Sequence, residues 1–412
     1  MAAGPDRRPV PAAEALSILG SAGMRGPLQA LLRPRGLRLE RWEHLRSHHR
    51  PGGAVSALYR VRCRRTPDRS AHADLTLYLG ATTDDGLASA DPGTAAARIA
   101  GLELQLWVHP FDPALRSLPW ATDAAAVARD VFAAAGPVQL SLMAYRPLRR
   151  AVLRAGHPGQ AVYLKLLPPA LLPGLQRRHR MLADSSVPAP HLLPDPPAAA
   201  GGAAVLSALP GTSLFRLLAD DGASAVKPDV LLALLDALPS AALELPLRRS
   251  WADRAEDYAA AAAAALPGQA LRIADLARGI REAAESAPAG PLVPVHGDFH
   301  EGNLLLSGGT VSGLLDVDAL GPGRRVDDLA CLLGHLAVLA AANPARPQLG
   351  RAFAEYGRVF GAAVDPAALN ARAAGVVLTL VSGARAGHGG SRTRNALLRL
   401  ETAERLLRAA GN

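Results

Sequence analysis

A strand–turn–strand pattern in the carboxy-terminal half most limits how this chain can fold. The apolar run Leu304–Leu306 predicts a short strand, and Ser307–Gly309 has the small residues of a tight hairpin turn. Val311–Val317 predicts the returning strand. The pattern therefore predicts an antiparallel hairpin, and it places the polar residues before and after the two strands close together.

Three polar side chains flank the predicted hairpin. Asp298 and Asn303 precede its first strand, and Asp316 stands near the end of its second strand. Phosphoryl transfer needs a carboxylate that orients the acceptor hydroxyl and oxygen ligands that hold Mg²⁺ between phosphates. Carboxylate and amide oxygens are suitable Mg²⁺ ligands, with water and phosphate completing the octahedron. The spacing therefore predicts a magnesium-dependent phosphoryl-transfer site.

The segment His296-Gly-Asp-Phe-His-Glu-Gly-Asn303, with the hairpin after it, resembles the aminoglycoside phosphotransferase and choline kinase group. This group is the small-molecule branch of the protein-kinase-like fold, and the resemblance extends from residue 136 to the C-terminus. It implies that Asp298 is the catalytic base and that Asn303 and Asp316 are magnesium ligands. It also implies that His296 organises the loop.

The resemblance extends to residues around this core motif. Asp328, in the pattern Gly-x-x-x-x-Asp-Leu-Ala, is expected to tie the loop to the next helix. The corner Gly323–Arg325 is doubly basic where the group commonly has Gly-Asp-Pro. We assign His296 and His300 to the nucleotide-binding set and Asp318 to the metal ligands. A structural role stays equally open for His300 and Asp318, because loop geometry decides where each side chain points.

A lysine inside an apolar strand is the second candidate feature. Lys165 ends the run Ala161-Val-Tyr-Leu-Lys165, in a chain whose only other lysine is Lys227. A compact ammonium fits between the α and β phosphates of a nucleotide, where a guanidinium fork does not. Lys165 is therefore predicted to bind phosphate. The chain has no Glu between Lys165 and Glu244, so the usual glutamate partner of this lysine is missing. Three alternatives stay open: Asp184 replaces it, Gln176 replaces it more weakly, or the lysine is held more loosely.

The stretch Val205–Gly211 resembles the hinge between two kinase lobes. The backbone of Ser207, Ala208 and Leu209 is expected to receive the adenine.

The first third of the chain carries a weaker version of the same pattern. His49–Val55 followed by Leu75–Gly80 parallels Tyr145–Val152 followed by Ala161–Lys165. Gly80 stands at the position of the lysine, so this copy cannot hold a nucleotide in the same way. Two interpretations stay open with equal weight. One is a degenerate repeat that serves as a structural or substrate-shaping module, and the other is two hairpins that share an Arg-Pro turn by chance.

Composition limits the class of protein. With 412 residues, 49% of them hydrophobic, the chain can bury large cores in two or three lobes. Cys63 and Cys331 are its only cysteines, which excludes a disulfide framework and predicts a reducing, cytoplasmic setting. The sequence shows neither an export segment nor a run long enough to span a membrane.

The formal net charge of +9 includes three basic patches, at Arg177–Arg180, Arg248–Arg249 and Arg385–Arg394. No helix-turn-helix, zinc or aromatic stacking motif accompanies them, so nucleic-acid binding is disfavoured. The basic carboxy-terminal third favours a neutral or anionic hydroxyl compound as acceptor over a polycationic one.

We expect an α+β, bilobal protein-kinase-like fold with an antiparallel N-lobe sheet, a helical C-lobe and an extra N-terminal α+β module. The predicted domains are residues 1–25 as an N-terminal tail or helix, 26–135 as the accessory module, 136–205 as the N-lobe, 206–213 as the hinge and 214–412 as the C-lobe with the catalytic loop. One of the helices expected in the C-lobe covers Leu231–Leu245.

The expected activity is transfer of the γ-phosphate of ATP, or of GTP, to a small-molecule hydroxyl with Mg²⁺. The alternative is a pseudokinase or scaffold that binds nucleotide and transfers phosphate weakly. The missing glutamate and the lysine-less first copy motivate this alternative.

Overall fold

The computed structural model describes residues 12–49, 54–65, 75–87, 93–134, 136–194, 196, 201–384 and 391–411. The chain forms two compact units. The amino-terminal unit comprises Met1–Pro173 and Leu193–Ser207, and the carboxy-terminal unit comprises Gly174–Leu192 and Ala208–Asn412. Antiparallel sheets dominate the first unit and helices the second, which confirms the predicted α+β class. The predicted basic patch Arg385–Arg394 lies partly outside the described residues.

A five-stranded antiparallel sheet forms the first part of the amino-terminal unit. Its strands have the order β1-β2-β3-β5-β4. Their bounds are Leu37–His49 for β1, Val55–Arg65 for β2, Leu75–Thr82 for β3, Thr94–Ile99 for β4 and Leu102–Val108 for β5. Two helices, α1 (Ala12–Gly20) and α2 (Arg25–Leu32), share a buried core with this sheet. Within that core the hydroxyl of Tyr59 donates a hydrogen bond to the carbonyl oxygen of Leu19 at 2.8 Å.

A second, four-stranded antiparallel sheet completes the unit, with the order β6-β7-β8-β9. Its strands are β6 (Gln139–Arg146), β7 (Arg150–His157), β8 (Gln160–Leu166) and β9 (Ala203–Ser207). The short helices α3 (Leu118–Ala121) and α4 (Ala124–Phe132) contribute to its core. The antiparallel sheet predicted for the N-lobe and the strand predicted to carry Lys165 are therefore confirmed.

Buried polar groups connect the two sheets of this unit. The indole nitrogen of Trp107 donates to the hydroxyl of Tyr145 at 3.1 Å, and that hydroxyl donates to Asp112 Oδ2 at 2.8 Å. The backbone N–H of Leu148 donates to the same carboxylate oxygen at 2.8 Å. Burial raises the pKa of Asp112, and the hydrogen bonds to the carboxylate oppose this shift. The network fixes the turn before β7 against the first sheet.

The first four strands in the order of the five-stranded sheet, β1-β2-β3-β5, follow one another as β6-β7-β8-β9 do in the second sheet. The residue pairing between corresponding strands is different. Gly80 on β3 pairs with Leu58, whereas Lys165 on β8 pairs with Val152, the residue that parallels Val55 in the sequence comparison. A Cβ atom on Gly80 would lie 2.1 Å from the ring of Trp107. The indole therefore fills the space that a side chain at Gly80 would need, and the repeat stays a prediction.

Helices and a small hairpin build the carboxy-terminal unit. Helix α5 (Leu172–Ala183) crosses the division of the chain at Pro173. The helices that follow are α6 (Leu214–Asp221), α7 (Asp229–Asp236), α8 (Ala255–Ala265), α9 (Ala270–Ser286), α10 (Arg325–Ala342), α11 (Pro347–Ala363), α12 (Pro366–Val381) and α13 (Arg392–Ala410). The short strands are β10 (Thr212–Ser213), β11 (Leu292–Val295), β12 (Leu304–Ser307), β13 (Thr310–Leu314) and β14 (Gly321–Arg324). No helix in the described ranges is both long and apolar enough to cross a membrane.

The structure confirms one sequence prediction about these elements and corrects another. The β12–β13 hairpin is confirmed, and Gly308 (φ +56°) and Gly309 (φ +82°) supply the positive backbone angles that a tight turn of this type requires. The helix predicted over Leu231–Leu245 is wrong in length, because α7 ends at Asp236 and a 3-10 turn follows. Pro239 explains the early end, since proline disfavours helical geometry in the residue before it.

The contact between Gly80 and Trp107 predicts a stability effect. Gly80→Ala should lower the free energy of unfolding by roughly 1–3 kcal/mol, because the indole must move away from the new methyl group. Gly26→Ala is the matched control, since a Cβ atom at Gly26 in α2 meets nothing within 4 Å. Chemical denaturation measures both changes. Equal stability of the two variants would contradict the packing described for Gly80.

Candidate active site

The loop before the hairpin is held by a carboxylate from the first turn of α10. Asp328 is only 1% exposed, and its Oδ2 and Oδ1 accept hydrogen bonds from the backbone N–H of His296 at 2.7 Å and of Gly297 at 2.8 Å. Burial raises the pKa of Asp328 to about 7, and these two hydrogen bonds act in the opposite direction. The expected tie between the loop and the next helix is therefore confirmed.

Gly297 permits the close passage of this loop past the residues after the hairpin. Its φ is +79°, in the left-handed region that favours glycine. A Cβ atom there would lie 2.8 Å from the carbonyl oxygen of Ala319. Both the backbone angle and the contact exclude a side chain at this position.

His296 joins the loop to the end of the hairpin. Its Nε2 lies 2.8 Å from the carbonyl oxygen of Leu315, and its Nδ1 lies 3.3 Å from the backbone N–H of Asp298. A neutral imidazole protonated on Nε2 satisfies both contacts. Burial lowers the pKa of His296, which favours the neutral ring, although the nearby Asp298 and Asp316 carboxylates act in the opposite direction.

Asn303 lies beside both Asp298 and the end of the hairpin. Its amide nitrogen donates to the carbonyl oxygen of Asp298 at 2.9 Å and lies 3.2 Å from Nε2 of His300. The amide oxygen is therefore the atom that Asn303 can offer to a cation. The backbone N–H of Leu315 donates to the Asn303 carbonyl oxygen at 2.8 Å, which places Asp316 next along the chain. An amide oxygen and a carboxylate in this position fit Mg²⁺.

The predicted strand over Val311–Val317 is too long. The strand ends at Leu314, and Asp316 has φ +55° and ψ +51°, a left-handed conformation that is rare outside glycine. The chain therefore turns at Asp316 instead of continuing along the sheet. Non-glycine residues in this region carry strain that the surrounding structure must offset, and such residues cluster at functional sites.

Asp318 follows in a 3-10 turn, Val317–Ala319, and therefore lies outside the strand. Arg178 lies next to this turn, and its Nε donates to the carbonyl oxygen of Leu320 at 2.9 Å. Burial lowers the pKa of the Arg178 guanidinium, as does the nearby Arg248, while Asp318 raises it. Asp318 therefore provides negative charge beside a buried arginine, in addition to its predicted role toward a metal.

His300 contacts a pair of residues that the sequence reasoning missed. Its ring stacks on His335 of α10, with centroids 4.7 Å apart and an interplanar angle of 11°. Nδ1 of His335 lies 3.2 Å from Oε2 of Glu301, and Nδ1 of His300 accepts from the backbone N–H of Gly302 at 3.1 Å. Burial opposes ionisation of Glu301 most strongly, but His335, His300 and a backbone hydrogen bond together outweigh it and lower the pKa of the carboxyl. His335 is far from the motif in sequence, and only the packing of α10 brings it there.

The model of the phosphotransferase enzyme family matches residues 149–367, which is more than half of the chain. The chain belongs to this family. The match confirms the suspected group and the predicted enzyme class, a phosphotransferase that acts on a hydroxyl of a small molecule. Sequence comparison with curated proteins gave no match.

Several solved structures are similar to this phosphotransferase. A thermostable mutant of aminoglycoside phosphotransferase APH(4)-Ia, in a ternary complex with ADP and hygromycin B, has 14% identity and a TM-score of 0.48, covering 71% of this chain and 99% of that chain. APH(3'')-Id from Streptomyces rimosus has 20% identity and a TM-score of 0.42, and the match covers 63% of this chain and 94% of that chain. Aminoglycoside-3'-phosphotransferase of type VIII has 25% identity and a TM-score of 0.40, and the match covers 59% of this chain and 92% of that chain.

The remaining predicted site residues, Lys165 and residues 207–209, lie in the first part of the region that the family model matches. Lys165 is 4% exposed on β8, in the amino-terminal unit, between Val152 of β7 and Ala204 of β9. Ser207 is the last residue of β9, and the division between the two units falls immediately after it. Ala208 and Leu209 begin the next part of the carboxy-terminal unit. The structure thus brings the loop residues together within one unit of the phosphotransferase and places Lys165 in the other.

The raised pKa of Asp328 predicts a pH dependence of stability. The folded-state value of about 7 lies above the ordinary value of 3.8, so the folded protein holds this proton more tightly than the unfolded chain. The contribution of Asp328 to stability is therefore largest below pH 4 and is lost as the pH rises through 7. Relative to Asp328→Asn, wild type should lose roughly 4 kcal/mol over this window.

Urea denaturation at several pH values between 4 and 8 measures this difference. Asp275→Asn is the control, because Asp275 is exposed on α9. If the difference in the free energy of unfolding between wild type and Asp328→Asn does not change with pH, the raised pKa of Asp328 is contradicted.

Proposed function

We propose that this phosphotransferase moves the γ-phosphoryl group of ATP, with GTP as the alternative donor, to a hydroxyl of a small molecule. The observation that carries the proposal is the anchored loop. Asp328 holds the backbone at His296 and Gly297, and the amide nitrogen of Asn303 donates to the backbone carbonyl oxygen of Asp298. These bonds support the proposal that a base at Asp298 and a metal ligand at Asn303 keep a set relation before any substrate binds.

Each site residue has a proposed task. Asp298 orients the acceptor hydroxyl and accepts its proton as the hydroxyl oxygen bonds the γ-phosphorus. The bond from that phosphorus to the β–γ bridging oxygen breaks, and the nucleoside diphosphate leaves. Asn303 and Asp316, with Asp318, would hold Mg²⁺, which neutralises phosphate charge when bound. Lys165 would neutralise charge on the α and β phosphates.

The other assigned residues have supporting tasks. The backbone of Ser207, Ala208 and Leu209 would bind the purine base of the nucleotide. His296 and His300 stay assigned to the nucleotide-binding set, and they also support the backbone of the loop.

The acceptor is proposed to be neutral or anionic. Arg178 is 7% exposed beside Asp318, and Arg248 and Arg177 both lie close enough to lower the pKa of its guanidinium. Arg177 also pairs with Glu244 at 3.3 Å, so three arginines and two carboxylates leave an excess of positive charge around Arg178. The Gly323–Arg325 corner contributes less, because Arg325 forms an ion pair with an aspartate of α7 at 2.8 Å.

A screen of acceptor classes tests this assignment. The panel contains neutral polyols and sugars, hydroxy acids, and the aminoglycosides hygromycin B and streptomycin, which are bound in two of the similar structures. ADP release above the acceptor-free rate identifies a substrate. We expect it with neutral or anionic compounds, and release with aminoglycosides alone would contradict the acceptor assignment.

With an acceptor identified, Asp298→Asn tests the catalytic assignment. Turnover should fall by about 10²–10⁴-fold because the hydroxyl loses its base. Nucleotide affinity, measured by calorimetry, should stay within about a factor of three, since nucleotide binding rests on other side chains. Asp275→Asn is the surface control. Undiminished turnover in Asp298→Asn would show that another group is the base.

A further inference from the structure

Behind the catalytic loop, two histidines and a glutamate converge from the loop and from α10. We propose that His300, Glu301 and His335 form a binding site for one transition-metal ion of the zinc class. This site goes beyond phosphotransfer, because none of its three donors is a proposed magnesium ligand. Two imidazoles and one carboxylate form a common three-residue zinc set that leaves a fourth position for water.

The distances place the three donors around one point. One ligand atom from each residue lies within 4.8 Å of the others. Nδ1 of His335 is 3.2 Å from Glu301 Oε2, and Nδ1 of His300 is 3.9 Å from the same oxygen. A zinc ion sits about 2.0–2.2 Å from nitrogen and oxygen ligands, which puts neighbouring ligand atoms about 3–4 Å apart. Small shifts together with a rotation of one imidazole ring would bring the three atoms into contact with one ion.

The carboxylate of Glu301 supplies an independent reason for a cation here. The residue is 7% exposed, and its buried Oε2 accepts no hydrogen bond among the described residues. Nδ1 of His335 lies 3.2 Å from Oε2 but forms its hydrogen bond with Oε1, at 3.4 Å. A buried carboxylate oxygen without a hydrogen bond is costly, and a metal ion would satisfy it.

The identity of the donors selects the metal class. Imidazole nitrogen suits Zn²⁺ and its neighbours Co²⁺, Ni²⁺ and Cu²⁺, whereas Mg²⁺ takes oxygen ligands. The rings of His300 and His335 are nearly parallel, so their in-plane lone pairs converge only after one ring turns. Binding therefore costs the ring stacking, and if Nδ1 of His300 is the ligand atom, it also costs the bond from Gly302 N–H. We expect weaker binding than at a preformed structural zinc site.

Zinc titration of the metal-free, tag-free full chain without nucleotide tests the proposal by calorimetry. We expect one Zn²⁺ per chain, unaffected by millimolar Mg²⁺. His335→Ala and Glu301→Gln should each weaken binding by at least about tenfold, since each removes a ligand. His191→Ala is the matched control, because His191 is exposed and lies outside the cluster. Asp316→Ala should bind Zn²⁺ as wild type does, which separates this site from the proposed magnesium site.

Co²⁺ supplies a second measurement that does not depend on activity. Wild type should give visible absorption bands of low-coordinate cobalt with nitrogen and oxygen ligands, and Glu301→Gln should lose them. This spectrum carries the test if His335→Ala fails to fold, which circular dichroism would show. Absence of a one-to-one Zn²⁺ site in wild type, or equal zinc affinity in wild type and both folded variants, would overturn the proposal.

Discussion

The carboxylate of Asp328 is the group on which the geometry of the loop depends. It accepts hydrogen bonds from the backbone N–H groups of His296 and Gly297, so one side chain fixes two consecutive peptide groups. From that anchor the ring of His296 bonds the carbonyl oxygen of Leu315, and the N–H of Leu315 bonds the carbonyl oxygen of Asn303. A continuous network of hydrogen bonds thereby joins the loop to the hairpin. Sites supported in this way keep their geometry without help from a substrate.

The anchor is effective because α10 is itself fixed. Leu329, Leu333 and Leu336 of this helix are buried in the core of the carboxy-terminal unit. At Gly334 the helix passes so close to α12 that a Cβ atom would lie 3.0 Å from the carbonyl oxygen of Ala373. Two residues before Leu329, α10 also carries an ion pair with α12.

Arg372 of α12 bonds Asp327 at 2.6 Å, immediately before the anchoring Asp328. Both side chains are mostly buried, and burial raises the pKa of Asp327 while Arg372 opposes the shift. Removing one partner of a buried pair leaves an uncompensated charge, so the pair holds the two helices in a fixed relation. Packing and charge together therefore position Asp328, and Asp328 positions the loop.

Sequence was sufficient for the parts of the site that are local in the chain. The hairpin follows from two apolar runs and a Gly-Gly turn, and the order of Asp298, Asn303 and Asp316 follows from the motif. The left-handed backbone at Asp316 was not predictable, because the apolar run through Val317 has the period of a continuing strand.

The contact of Glu301 with His335 was not predictable for a different reason. The two residues are separated by the hairpin and by the first turns of α10, and only helix packing brings them together. The early end of α7 could have been predicted from Pro239, which stands inside the expected helix.

In the proposed mechanism the loop presents Asn303 and Asp316 as ligands for a nucleotide-bound magnesium ion. Thermal unfolding of wild type and Asp316→Ala, with ATP or GTP and with or without Mg²⁺, is the decisive test of these ligands. We expect a nucleotide-induced rise in the unfolding temperature of wild type that requires Mg²⁺ and is lost in Asp316→Ala. No rise with either nucleotide, or an equal rise in the variant, would contradict it.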